Sequence, residues 1–180
     1  MKKELIISHE GAQSKIALLE DGRLLELHEQ EDKSDFVVGD LFIGKVKKLA
    51  PNLNAAFVSI GYEKDAFLHY QDLGPQFLTY KKFLKDTVSK KQETTSLKNF
   101  EIQKEIDKHG TIEKVLAKED SVILQITKEP ISTKGPRIST QISLTGRFLV
   151  LIPFDKSVSI SKKISSAEER ECLRTLIERI

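Results

Sequence analysis

The chain holds a single cysteine, Cys172, among 180 residues. A lone thiol forms no internal disulfide, which fits a reducing compartment, and it cannot seed a cysteine-based zinc ribbon. The four histidines (His9, His28, His69, His109) stand far apart, so a metal cluster of Cys and His is not expected. No apolar run approaches the roughly 18 residues that a membrane helix requires. The opening MKKELIISHEG has basic residues but only a short apolar stretch and no small-residue cleavage site, which argues against a secretory signal. The expected location is the cytoplasm. Enzyme signatures are missing too: there is no P-loop, GxGxxG, HExxH or GxSxG. Residues 132–137 (STKGPR) pair lysine with glycine but lack P-loop spacing, and read as a turn. Glu31-Asp32 and Glu119-Asp120 read as adjacent loop acids, not as a metal-binding set. Cys172 falls inside a helical pattern, which predicts a buried or half-buried structural side chain.

What is present is a globular composition, 39% hydrophobic and 31% charged, with bulk enough for one or two domains. The net charge is only +2, but it is unevenly spread. Residues 1–40 carry 5 Lys and Arg against 10 Asp and Glu, a net of −5. The other 140 carry 24 against 17, a net of +7. A basic body behind an acidic head suits a polyanionic partner, although a solvated lysine-rich surface has the same composition.

Short apolar runs dominate the chain. Residues 4–8 (ELIIS), 15–20 (KIALLE) and 24–28 (LLELH) predict three strands, the last two joined by Asp21-Gly22, which accepts positive φ in a tight hairpin. Three strands alone have little to pack against, so this piece is expected to dock on something else. After an acidic linker at 29–35, residues 41–49 (LFIGKVKKL) alternate as a strand should. Phe42, Gly44, Val46 and Lys48 share one face; Ile43, Lys45 and Lys47 share the other. Residues 55–60, 65–69, 121–128 and 137–144 supply four more strands. Five strands, the first long and bent at a glycine, predict a small closed barrel within a mainly β, α+β fold.

Residues 75–110 differ, with eight lysines and few β-branched side chains. KKFLKDTVSKK and SLKNFEIQKEIDKHG predict two helices, with Leu97, Phe100 and Ile106 on one face and Gly110 as a C-cap. Glu101 and Glu105 are spaced to pair with nearby lysines. Farther on lie FLVLI at 148–152 and a capping box at Ser165 or Ser166 with Glu168 or Glu169. Leu173, Leu176, Ile177 and Ile180 then share a helix face. That pattern is still running at Ile180, which suggests a piece of a larger protein.

A barrel of this kind offers strand aromatics as stacking platforms and lysines for phosphates. Phe57 and Phe67, on neighbouring strands, are the natural candidates, with Phe42, Lys45, Lys47 and Lys134 in support. A single such ring is more often core, and a pair on neighbouring strands beside lysines shifts that balance only modestly.

At residues 44–61 (GKVKKLAPNLNAAFVSIG) the sequence resembles the ribonuclease E/G family of bacterial endoribonucleases. ISLTGRFLVLIP (142–153) and ISKKI (160–164) resemble the start of that family's 5′-end sensor. The resemblance implies that residues 1–37 begin a ribonuclease H-like domain. Residues 38–143 would be an inserted five-stranded OB-fold barrel with a helical insertion at about 75–110, and 144–180 the truncated beginning of the 5′-sensor domain. It places Phe57 and Phe67 at the family's RNA-contacting aromatic positions and Lys134 at a basic RNA contact. Gly146 and Val150 match positions lining the pocket for the 5′-terminal nucleotide. The arginine and threonine that grip the 5′ phosphate would follow Ile180. The chain departs from the pattern at Ser59, where Asp is common, and at Ala66, where Gly is common. The aspartates for catalytic magnesium and the zinc-binding cysteines that link subunits would lie downstream. The implied role is therefore the RNA-binding N-terminal region of an enzyme that cuts single-stranded RNA, favouring a 5′ monophosphate. Alone, the chain is expected to bind RNA without cutting it and to need no cofactor. Magnesium and homo-oligomer contacts are expected of the parent's other domains. Two alternatives are a stand-alone OB-fold RNA-binding adaptor and a protein-interaction module that binds through the helical insertion.

Overall fold

The computed structural model describes residues 2–11, 13–31, 36–91, 97, 100–131 and 134–179. Met1, Ala12, part of the acidic linker (32–35), residues 92–95, part of the start of the second expected helix (96, 98 and 99), Ser132, Thr133 and Ile180 lie outside the described residues.

Strands β1 (Lys3–Glu10), β2 (Gln13–Glu20) and β3 (Arg23–Glu31) form an antiparallel meander in that order. Asp21 and Gly22 both take positive φ, 47° and 80°, the backbone a two-residue hairpin demands. Register places Leu5 beside Leu18, Ile6 beside Ala17 and Ile7 beside Ile16. Because successive residues face opposite ways, both faces of this sheet are apolar. Leu5, Ile6, Ile7, Leu24, Leu25 and Leu27 all remain exposed.

The body is a closed barrel of β4 (Leu41–Ala50), β5 (Ala55–Ser59), β6 (Ala66–His69), β7 (Ser121–Lys128) and β8 (Arg137–Ser139), in the order β4-β5-β6-β8-β7. Every pair is antiparallel except β6 with β8. This is the OB-fold-like barrel that one long strand and four short ones predict. The first half of β4 pairs with β7 and the second half with β5, so one strand serves both walls. Gly44 sits at that crossing, where an added Cβ would lie 2.6 Å from Val58 Cγ1 and 2.8 Å from Leu124 Cδ2. Val46, Val58, Leu68, Leu124, Ile126 and Ile138 fill the interior, each worth about 1.5–3 kcal/mol when fully buried. The last barrel strand is shorter than the expected 137–144, because Leu144-Thr145 leaves to pair elsewhere.

Helix α1 (Phe77–Val88) lies between β6 and β7 in sequence and buries Phe77, Thr79, Tyr80 and Leu84. Lys81 fastens it to the barrel, donating to Asp120 Oδ2 at 2.6 Å and to the Val115 carbonyl at 3.2 Å. The second expected helix is not present among the described residues: Phe100–Asp107 runs as an irregular arm against α1. Its backbone finds partners outside itself, which removes the need for helical bonds. Gln103 N donates to Thr79 Oγ1 at 3.0 Å, Ile106 N to the Pro75 carbonyl at 3.2 Å, and the Asp107 carbonyl accepts from the Tyr70 hydroxyl. Lys82 pairs with Glu101. Gly110 is thus no helix cap; it is needed because the Tyr70 hydroxyl occupies the space a Cβ would fill. A one-turn helix α2 (Ile112–Val115) follows, pinned by Asn54 Oδ1, which accepts from Ile112 N at 2.7 Å.

Beyond the barrel, β9 (Leu144–Thr145) and β10 (Val150–Leu151) form a small hairpin. Helix α3 (Ala167–Glu178) starts at Ser166, whose Oγ accepts from Glu169 N at 3.2 Å, as the capping box predicts. Cys172 on this helix is exposed, contrary to the expected buried role, because no residue of α3 is fully buried. No helix among the described residues is long and apolar enough to cross a membrane.

Overpacking a well-filled core typically costs about 1–3 kcal/mol. Gly44→Ala is therefore expected to lower the thermal midpoint by several degrees, at roughly 2–4 °C per kcal/mol for a chain of this size. An unchanged midpoint in a circular-dichroism melt would show that the β4 crossing has spare room.

Candidate nucleic-acid interface

Alternation sorts the barrel strands cleanly. In β5, Ala56 and Val58 are buried while Phe57 and Ser59 are only half-buried; in β6, Ala66 and Leu68 are buried while Phe67 and His69 are not. Phe57 and Phe67 are register partners on the outer face, with ring centroids 5.8 Å apart at an interplanar angle of 67°. On the far side of Phe57, a bulge in β4 between Val46 and Lys48 places Lys48 opposite the ring and leaves Lys47 as the extra residue. On the far side of Phe67 stands Arg137 of β8, and opposite Arg137 stands Lys128 of β7. Five strands therefore contribute one row, Lys48, Phe57, Phe67, Arg137 and Lys128. At about 4.8 Å per strand the row spans roughly 19 Å.

The sequence-predicted residues divide. Phe57 and Phe67 are brought together at the centre of the row. Phe42 is not: it packs against the core and stacks on Phe36, with centroids 5.2 Å apart and planes 7° from parallel, while Phe36 meets Tyr62 edge-on. The reason is alternation, since Phe42 shares its face with the buried Gly44 and Val46. Lys45 points outward beside Ser59 and is engaged by Glu119 at 2.8 Å. That hydrogen bond and the charge of Lys45 hold the exposed Glu119 carboxyl below its usual range. Lys134 lies on the approach to β8, joined to Ile131 by a pair of backbone bonds at 3.2 and 2.9 Å. The next residue, Gly135, runs so close to the Asp65 carbonyl that no Cβ would fit, which keeps Lys134 near the start of β6.

Simple alternation puts Lys48 on the face of Phe42, and the bulge reverses this. No sequence signal marks that bulge. Arg137 alternates outward from the buried Ile138, but its place beside Phe67 comes from the β6–β8 pairing, and Lys128 turns outward only through a second bulge, between Ile126 and Lys128.

A second feature lies beside the barrel. An open cleft of about 850 Å³ is lined by Val38, Gly39, Gln125, Ile126, Leu144 and Gly146, among others. Gln125 is nearly buried and holds its walls together, donating to the carbonyls of Gly39 (2.9 Å) and Ser143 (3.0 Å) and accepting from Ser143 N (3.0 Å). Gly146 lines this cleft; Val150 pairs with Thr145 in the adjoining hairpin and is exposed. The chain beyond that hairpin is tied to the insertion. Tyr80 donates to the Pro153 carbonyl at 2.9 Å, and Phe154 contacts Tyr80, Phe83 and Phe100 at centroid distances of 5.2–5.9 Å. Among the described residues no group of three or more His, Cys, Asp or Glu side chains comes together to hold a metal ion.

The closed barrel, with paired rings on its outer wall, first defines an OB-fold-type domain. Sequence comparison then specifies the lineage. Residues 143–180 match the model of the Ribonuclease E/G family. Ribonuclease G of Haemophilus influenzae is 32% identical over 175 residues, 97% of this chain and 32% of that protein. Ribonuclease G of Escherichia coli K12 is 31% identical over 177 residues, 98% of this chain and 32% of that protein. Ribonuclease E of Synechocystis sp. is 35% identical over 140 residues, 77% of this chain and 17% of that protein. The chain belongs to the ribonuclease E/G family, and it spans about a third of the length of the ribonuclease G relatives.

The Tyr80 contact sets a pH window. Burial, and secondarily the charge of Asp155, push the Tyr80 hydroxyl up to about 12 from its ordinary 10. The folded state thus holds this proton more tightly than the unfolded chain, so its contribution is complete below pH 10 and is lost as pH rises towards 12. Tyr80→Phe is expected to flatten the loss of stability across that window and to remove the highest step of a tyrosinate absorbance titration. A Tyr80→Phe protein with the same alkaline profile as the parent would show that the phenol is not shielded from water in the folded protein.

Proposed function

We propose that this chain is the RNA-binding N-terminal region of a ribonuclease E/G-type endoribonuclease acting on single-stranded RNA in the cytoplasm. The observation that carries this reading is the outer row of two rings flanked by cations, built across all five strands of the barrel. Bases stack on Phe57 and Phe67, and Lys48, Arg137 and Lys128 neutralise the phosphates on either side. Stacking tolerates any sequence because each base offers a π face. Lys134, Lys45 and Lys47 extend the positive field around the row, whereas Phe42 serves the core. The cleft bordered by Gly146 and the Val150 hairpin is the start of the pocket that presents the RNA 5′ end. Magnesium-dependent cleavage and homo-oligomer contacts are assigned to the parts of such an enzyme outside this chain, which alone binds RNA and does not cut it.

Fluorescence anisotropy of a short single-stranded RNA, titrated with protein at several salt concentrations, tests this reading. Phe57→Ala is expected to weaken binding by about 1–3 kcal/mol, roughly 5- to 150-fold. Lys48→Ala should weaken it less while lowering the log–log salt slope by about 0.7. Equal binding by parent and Phe57→Ala would remove the stacking role and leave a diffuse lysine surface.

A further inference from the structure

We propose that Arg137 is a further RNA-binding residue, gripping the phosphodiester of the nucleotide stacked on Phe67, and that Asp72 is its positioning residue. This rests on the RNA-binding reading of the barrel face. The register puts Arg137 directly beside Phe67, and its guanidinium is held by Asp72 in the turn that follows the same strand, on the flank of the row that a nucleotide stacked on Phe67 would cross. An arginine at the surface ordinarily samples many rotamers, and ordering it costs binding energy. Here that ordering is already done. Nε donates to Asp72 Oδ2 at 3.1 Å, and Nη2 donates to Oδ1 at 3.1 Å and Oδ2 at 2.9 Å. The pair is side-on, and among the described residues Nη1 has no hydrogen-bond acceptor, which leaves that edge of the fork for a phosphate.

Asp72 is itself fixed. It ends the short 3-10 turn Tyr70–Asp72, and its carbonyl accepts from Ser139 Oγ at 2.7 Å and from Thr140 N at 2.9 Å. Its carboxylate is mostly shielded, whereas the arginine side chain is 45% exposed.

Two effects of Asp72 oppose each other, and their signs separate the readings. As an anion near the row it repels phosphate, so removing its charge should tighten binding. As the brace of Arg137 it preorganises a ligand, so removing it should loosen binding. The same anisotropy titrations decide, with Arg137→Ala, Arg137→Lys, Asp72→Asn and Phe57→Ala beside the parent chain. Arg137→Ala is expected to weaken binding about tenfold and to lower the salt slope by about 0.7. Arg137→Lys should restore the slope but not the affinity, since an ammonium cannot bond Asp72 and a phosphate with a planar fork. Asp72→Asn should weaken binding about threefold despite removing a negative charge. Circular dichroism confines the comparison to folded proteins.

Unchanged affinity and slope in Arg137→Ala, with Phe57→Ala still weakened, would overturn the proposal and leave the barrel-face reading standing. Tighter binding by Asp72→Asn would overturn the positioning role. Equal binding by Phe57→Ala, Arg137→Ala and parent would instead sink the RNA-binding face itself.

Discussion

The barrel depends on its one parallel seam. Four of its five strand pairs are antiparallel ladders, but β6 and β8 meet through a single register pair, Phe67 with Arg137. Backbone ladders cannot carry so short a junction alone, and side chains from the turn after β6 complete it. Arg137 grips Asp72, Ser139 and Thr140 bond the Asp72 carbonyl, the buried Thr140 hydroxyl bonds the Leu73 carbonyl, and Phe67 N reaches the Pro136 carbonyl at 3.0 Å. Leaving such buried groups unpaired would cost about 1–3 kcal/mol each. Closure is therefore paid for by polar contacts at the rim while Ile138 and Leu68 pack beneath. The residues that close the barrel also complete the outer row, so the row of rings and cations exists only when the seam is shut.

The insertion acts as a further brace, starting from the same turn. Lys81 ties α1 to the loop before β7, Asn54 ties the end of the arm to the turn after β4, and Tyr70 caps the arm at Asp107. The same helix offers Tyr80 and Phe83 to Phe154. A residue with φ of +65° is an uncommon conformation for phenylalanine, and here it lets the chain turn its ring into that cluster. The insertion thus does more than decorate the barrel: it orients the segment that leaves the cleft around Gly146. Its lysines divide accordingly, Lys81 and Lys82 being structural partners of acids and not a free cationic face.

Much of this was legible in the sequence because it follows from alternation. The hairpin at Asp21-Gly22, the five barrel strands, the glycine at the bend of β4, α1 and the Ser166 cap all follow from local patterns of period, turn chemistry or capping. Phe57 and Phe67 were legible for the same reason. What was not legible arises between elements. A bulge moves Lys48 to the side of Phe57, and nothing local in KVKKL announces it. The arm at Phe100–Asp107 has helical composition, yet partners from α1 and the Pro75 turn satisfy its backbone, so tertiary contacts override propensity. Arg137 gains its place from a crossover that joins β8 to β6, and no pattern within a single strand encodes a neighbour on another.

The opening sheet makes a demand of a different kind. A three-stranded meander is marginal alone, and one with apolar side chains on both faces is built to be covered on both. The barrel, by contrast, carries its own core, with Val46, Val58, Leu68, Leu124, Ile126 and Ile138 all shielded within five closed strands. Stability of the sheet and formation of the aromatic row are therefore separable properties of one chain. Covering the sheet would bury Leu5, Ile7, Leu24 and Leu27 and steady residues 1–31, which carry most of the negative charge of the first forty. It would change neither the bulge that aims Lys48 nor the seam that fixes Arg137. Whatever surrounds this region in a longer protein, the geometry that would meet a single strand is set inside the barrel.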